Sequence, residues 1–180
     1  MESQGQKNFA PMGKDKMLVT KEIEIDMGHR VPNHKSKCSN LHGHRYKIEA
    51  GVDDKVISTE GVSDEGMVID FGDLKAIMME VIDGGFDHGF VMYDKDPFRY
   101  FFDIMQKGEL LKISEDTAVG DDKPQKILFV DFIPTAENLA KHWFELLEPR
   151  LRERQIKLKH VKVWETPTST ATYINPIDAI

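Results

Sequence analysis

Cysteine is nearly absent from this chain: Cys38 is the only one among 180 residues. A lone thiol excludes an intrachain disulfide framework and suits a reducing, cytoplasmic setting. Long apolar runs are also missing. No stretch of about 18 or more apolar residues occurs, which excludes a conventional transmembrane helix. The polar start of the chain has no apolar h-region of a signal peptide. Residues 1–17 are therefore expected to form a flexible N-terminal extension, and 18–180 a single domain. Positive charge is in deficit, with 24 basic against 31 acidic side chains and a formal charge of −7. That balance argues against broad binding to a nucleic-acid backbone. It leaves room for one small anion in a locally basic pocket. Internal repeats and low-complexity tracts are absent too.

What is present is alternation. Val19, Lys21, Ile23, Ile25 and Met27 share one parity, with Glu22, Glu24 and Asp26 on the other, which predicts a half-buried strand. Tyr46, Ile48, Ala50 and Val52 alternate with Arg45, Lys47 and Glu49 in a second strand, joined to the first by the loop Gly28 to Leu41. Asp70 is a plausible N-cap for a helix carrying the stripe Phe71, Leu74, Ile77, Met78, Val81 and Ile82, ending before Gly84-Gly85. A second helix is expected from about Thr135, with Glu137 near its positive N-terminus. Leu139, Ala140, Trp143, Phe144 and Leu147 form its buried face, and Pro149 is expected to end or bend it. His142 lies off that stripe and reads as exposed. Strands His160 to Thr166 and about Ala171 to Ile174 close the chain.

The section Asp94 to Lys126 reads as an insertion. Phe98, Phe101, Phe102 and Met105 suggest a short amphipathic helix. Leu110 to Ile113 and Ile127 to Val130 are expected to pair across the turn signal Gly120-Asp121-Asp122-Lys123-Pro124. Runs of antiparallel strands beside two helices make the class α+β.

The chemistry concentrates in Cys38-Ser-Asn-Leu-His42-Gly-His44. Histidines two apart fall on one face of a strand. His42 and His44 continue the apolar parity of Tyr46 and Ile48, and His29 continues that of Ile25 and Met27. Three inward imidazoles at neighbouring strand ends match a zinc ion with its fourth position open, the arrangement of a catalytic site. Core histidines with hydrogen-bond partners are the plainer alternative. Cys38 has three readings: a small buried hydrophobe, a thiolate base or nucleophile beside a cation, or a fourth ligand. Asp87 beside His88 is a carboxylate able to orient a proton-shuttling imidazole. Glu165 shares a strand face with Val161 and Val163. It either meets a ligand with two N–H donors or emerges into solvent at the strand end. Arg30, Lys35, Lys37 and Arg45 cluster around the histidines, as a solvated loop or a phosphate attractor.

Six segments stand in order between residues 18 and 175. They are Gly28-His29-Arg30; Cys38-x3-His42-Gly43-His44; Gly66-Met67-Val68-Ile69-Asp70-Phe71-x2-Leu74-Lys75; Phe86-Asp87-His88; Pro134-Thr135-x-Glu137-Asn138-Leu139-Ala140; and Trp164-Glu165-Thr166. Together they resemble the 6-pyruvoyltetrahydropterin and 6-carboxytetrahydropterin synthase family. The resemblance implies a T-fold, with a four-stranded antiparallel sheet and two helices on one face. It implies assembly of trimers into a barrel and pairs of trimers into a homohexamer, with active sites between subunits. Zinc would be held by His29, His42 and His44. Cys38 would be the catalytic cysteine, Asp87 and His88 its partner relay, and Glu165 the carboxylate that grips the pterin. Thr135 and Glu137 would line the pterin pocket.

The substrate implied is 7,8-dihydroneopterin triphosphate. A carbon–carbon lyase branch gives 6-carboxytetrahydropterin, acetaldehyde and triphosphate, for queuosine and related 7-deazaguanines. A carbon–oxygen lyase branch eliminates triphosphate to give 6-pyruvoyltetrahydropterin. The three-residue gap between Cys38 and His42 resembles the carboxytetrahydropterin branch. A zinc-stabilised pterin-binding protein without turnover is the reading from another class, and the intact set Cys38, Asp87, His88 and Glu165 argues against it. The long segment 94–126 and the Gly89-Phe90-Val91-Met92 sequence after His88 depart from the family pattern.

Overall fold

A computed structural model describes residues 16–108, 111–114, 117–119 and 123–178. The N-terminal extension lies outside them up to residue 15, and β1 already starts at Lys16. The two alternating segments form a long antiparallel pair, β1 (Lys16–His29) and β2 (His42–Lys55). Ile23, Ile25, Met27, Tyr46, Ile48, Ala50 and Val52 are buried on one face, as their parity predicts.

Helix α1 (Phe71–Met78) begins at Asp70, whose side chain accepts the Gly72 N–H. It does not stop before Gly84. A π-helical turn (Met79–Asp83) carries it into the short α2 (Gly84–Phe86), because Ile82 and Phe86 both reach the core. After β3 (Phe90–Tyr93) come α3 (Arg99–Lys107), the small hairpin β4 (Leu111–Ser114) and β5 (Thr117–Val119), and β6 (Ile127–Val130). The long helix α4 (Ala136–Arg152) is followed by β7 (Leu158–Thr166) and β8 (Ser169–Ile174). A 3-10 turn, Pro176–Asp178, ends the described chain.

The main sheet runs β6-β3-β1-β2-β7-β8. Its β1-β2-β7-β8 portion is the expected four-stranded antiparallel sheet. The short strands β3 and β6 extend it to six by parallel pairing at the β1 edge. The inward face of the antiparallel strands shares one core with Leu74, Ile77 and Met78 of α1 and Leu139, Trp143 and Leu147 of α4. The architecture is the T-fold class, α+β.

Several local expectations change. The segment around Leu111 pairs with β5, whereas Ile127–Val130 joins the main sheet beside β3. Residues 120–122 of the expected turn lie outside the described residues. Helix α3 buries Phe102 and Ile104 while Phe98, Phe101 and Met105 stay exposed, because Phe102 is the ring that packs on Phe90, at 5.0 Å. Pro149 sits inside α4 without ending it. Leu147 and Leu151 on either side are fully buried, and the Pro149 carbonyl still accepts the Glu153 N–H at 3.1 Å. His142 is half-buried between the rings of Phe86 and Phe132, not exposed.

Trp143 joins α4 to the site, with its ring 6.0 Å from Tyr46 and 5.7 Å from Phe86. At fixed protein concentration, Trp143→Ala should lower unfolding free energy by about 3–5 kcal/mol. Thr135→Ala should cost about 1 kcal/mol, through loss of the cap to the Asn138 N–H. Urea denaturation measures both. A Trp143→Ala loss under about 1 kcal/mol would contradict this packing role.

Candidate metal centre and active site

Register builds the centre. Across β1 and β2, His29 lies opposite His42, Met27 opposite His44 and Ile25 opposite Tyr46. The glycine pair Gly28 and Gly43 lies between the histidine positions. A Cβ at Gly28 would sit 2.4 Å from the Phe90 ring, and one at Gly43 only 2.9 Å from the Met27 carbonyl. Both strands therefore need glycine where the histidines converge.

One ligand atom from each of His29, His42 and His44 lies within 4.8 Å of the others, and Cys38 is not part of that group. Two of the rings are aimed by carbonyls. His29 Nδ1 donates to the Pro134 carbonyl at 2.7 Å, and His42 Nδ1 to the Asn40 carbonyl at 2.8 Å. This assignment leaves each Nε2 as the lone-pair nitrogen, as a metal ligand requires. Burial pushes His29 below the ordinary imidazole value, against the pull of the Pro134 carbonyl, and burial shifts His44 the same way. Neutral imidazoles are the metal-binding form. The donor set fits a divalent ion with a free coordination position.

Tyr46 is the residue that sequence patterning left as simple core. Its hydroxyl lies 3.1 Å from His29 Nε2 and donates to Glu165 Oε1 at 3.4 Å. Burial, then the Glu165 carboxylate and Cys38, hold the phenol far above its usual range, so it stays a donor. The signal was in the motif: His42, His44 and Tyr46 share one parity. Glu165 continues the inward face of Val161 and Val163 and lies 3.6 Å from His29. It lines a cleft of about 610 Å³ with His44, Arg45, Lys47, Trp164 and Thr166, within the size range of small-molecule sites. Cys38 is half-buried on the 3-10 turn Lys37–Ser39, and its carbonyl accepts the Val31 N–H at 2.8 Å. Pro134 is buried and its carbonyl accepts from His29; Thr135 follows it as the N-cap of α4, while Glu137 is exposed on the first turn.

Asp87 and His88 are not brought to this cluster within one chain. Asp87 Oδ1 accepts the Asp26 N–H at 2.8 Å, and Oδ2 meets His88 Nδ1 at 2.6 Å. The Asp26 side chain has the outward parity of β1 and forms a two-point pair with Arg45 at 3.0 and 2.9 Å. The His88 side chain is 79% exposed. The Asp26 N–H, then His88, keep the Asp87 carboxyl below its usual value.

Arg30 also departs from the solvated-loop reading. It is buried, 3.1 Å from Asp96, with its guanidinium 4.3 Å from the Phe98 ring centroid. Asp96 in turn accepts the Phe98 N–H at 2.8 Å. The start of the segment after β3 is thereby tied to the residue following His29.

The family model described as 6-pyruvoyl tetrahydropterin synthase matches residues 18–176. A Rickettsia bellii protein named 6-carboxy-5,6,7,8-tetrahydropterin synthase is 35% identical over 149 residues, covering 82% of this chain and 93% of its own. A Haemophilus influenzae protein of the same name is 34% identical over 155 residues, covering 86% and 96%. Among solved structures, an uncharacterised Wolinella succinogenes protein aligns with TM-score 0.69 and 26% identity over 90% of this chain and 99% of its own. The Caenorhabditis elegans 6-pyruvoyl tetrahydropterin synthase aligns with TM-score 0.58 and 24% identity over 89% and 96%, a likeness of fold. Among the described residues, no helix is long and apolar enough to cross a membrane.

Elemental analysis tests the ligand set. His42→Ala should lose stoichiometric divalent metal, whereas Cys38→Ala should retain it. Metal loss in the cysteine variant would make Cys38 a ligand.

Proposed function

This chain belongs to the 6-pyruvoyl tetrahydropterin synthase family, and we propose that it is a zinc-dependent 6-carboxy-5,6,7,8-tetrahydropterin synthase. It takes 7,8-dihydroneopterin triphosphate and water to 6-carboxytetrahydropterin, acetaldehyde and triphosphate, as a carbon–carbon lyase. The observation that carries this reading is the convergence of His29, His42 and His44 beside the half-buried Glu165. The names of relatives at 34–35% identity over most of the chain support the carboxytetrahydropterin branch. So does the three-residue gap between Cys38 and His42. The product serves queuosine and related 7-deazaguanine synthesis in the cytoplasm, where a lone thiol stays reduced.

His29, His42 and His44 hold the zinc, which when bound supplies Lewis acidity toward the side-chain hydroxyls of the substrate. Glu165 accepts N–H donors of the pterin ring, and Tyr46 fixes one of its oxygens from behind. Thr135 and Glu137 border the pterin. Cys38 takes a proton from the substrate side chain. His88 returns one, with Asp87 holding its Nδ1 and therefore its orientation.

Asp87 and His88 are not part of the histidine group of their own chain, and the His88 side chain is exposed, so this reading takes two chains. His88 of one subunit completes the centre built by its neighbour, within a homohexamer of two trimers. Mixed assembly tests that requirement. Cys38→Ala and His88→Ala proteins, each inactive alone, should regain roughly one quarter of wild-type sites when co-assembled at equal amounts. No recovery would place both groups in a single-chain site. For the reaction itself, zinc-loaded protein supplied with dihydroneopterin triphosphate should release acetaldehyde and 6-carboxytetrahydropterin. Pyruvoyl product without acetaldehyde would move the assignment to the other synthase. Tight pterin binding without turnover would make the protein a binding module.

A further inference from the structure

The turn Phe86–Gly89 hands the chain from α2 to β3, and His88 sits in it at φ +55°. That left-handed conformation is sterically disfavoured for a residue with a Cβ, so neighbouring groups must impose it. The His88 imidazole is mostly exposed, and its hydrogen bond is to the adjacent Asp87. Its direction is therefore set by the backbone beneath it. The deciding element is the peptide unit between Asp87 and His88. Its N–H donates to the Asp26 carbonyl at 2.8 Å, which anchors one side to β1. Its carbonyl, that of Asp87, accepts from Lys126 Nζ at 2.7 Å.

Lys126 does more than cap one oxygen. The same ammonium donates to the Gly84 carbonyl at 3.1 Å, and the Lys126 carbonyl accepts the Phe90 N–H at 2.9 Å. Its aliphatic stem also lies 3.4 Å from where a Cβ on Gly89 would sit. One residue thus holds the start, the middle and the end of the segment Gly84–Phe90. Without the ammonium, the Asp87 carbonyl has water as its alternative partner. The peptide can then rotate toward the ordinary negative φ, which re-aims the imidazole.

We propose that Lys126 is a positioning residue for His88, locking the Asp87–His88 peptide so that the imidazole is presented in one direction. Lys126 stands at the last position before β6, so the long segment after β3 closes onto the relay. The inference rests on the reading of His88 as a proton-transfer group.

Lys126→Met and Lys126→Arg in the full, assembled, metal-loaded protein test it. Lys126→Met should lower kcat roughly 10- to 100-fold, with KM and metal content unchanged. It should also speed amide hydrogen exchange at His88 and Gly89. Lys126→Arg, which keeps a donor cation, should restore most of kcat and the slow exchange. Wild-type exchange in Lys126→Met overturns the proposal, as does lost kcat with no rescue by arginine. Exchange is read without turnover. A wild-type protein that makes no product would therefore overturn the assigned reaction, leaving exchange to decide whether Lys126 holds the turn.

Discussion

The antiparallel register of β1 against β2 places His29 across from His42 and Met27 across from His44, and the candidate centre depends on that pairing. Side chains alternate along a strand, so a slip of one residue would turn the histidines to the opposite face and expose Ile23, Ile25, Tyr46 and Ile48 together. The same contacts that bury the core therefore also fix the donor set. Gly28 and Gly43 permit this pairing at the one place where the Phe90 ring and the Met27 carbonyl press closest. Pro134, carried in by the start of α4, then orients His29 from the helix layer.

The sheet also divides the chemistry. Its inward side carries the three histidines, Tyr46 and Glu165, while Asp26 and Arg45 pair with the opposite parity and Asp87 and His88 stand at the β1 edge, bonded to the Asp26 backbone. A group offered to solvent on a rigid turn is suited to a neighbour's site, which is the logic behind the proposed assembly. The segment between β3 and α4 touches both halves. Its first residues bind Arg30, next to His29, through Asp96 and Phe98. Lys126 grips the turn that bears His88. A stretch that reads as an insertion in sequence is thus attached at each end beside residues of the candidate site.

Much of this was legible from residue order. Parity alone assigned the inward faces of β1, β2 and β7, including all three histidines, because period-two alternation survives wherever one face is buried, but it left Glu165 open between an inward carboxylate and a solvated strand end. Asp70 was readable as a cap, and the start of α4 near Thr135 as a helix beginning, because a side-chain oxygen before an apolar stripe has a local physical role. The less legible features depended on partners distant in sequence. Ile127–Val130 joins β3 across α3 and the small hairpin, and nothing in its own four residues names that neighbour. Pro149 is tolerated because Leu147 and Leu151 are buried on either side. Arg30 looked like a surface charge, since its partner Asp96 lies far along the chain.

The central claim is an open three-imidazole centre with Cys38 beside the metal instead of on it. X-ray absorption at the zinc edge of the metal-loaded protein tests this most directly. The account predicts nitrogen and oxygen scatterers alone, at about 2.0–2.1 Å, with the imidazole signature. A sulfur scatterer near about 2.3 Å would put Cys38 in the coordination sphere, close the site and contradict the account.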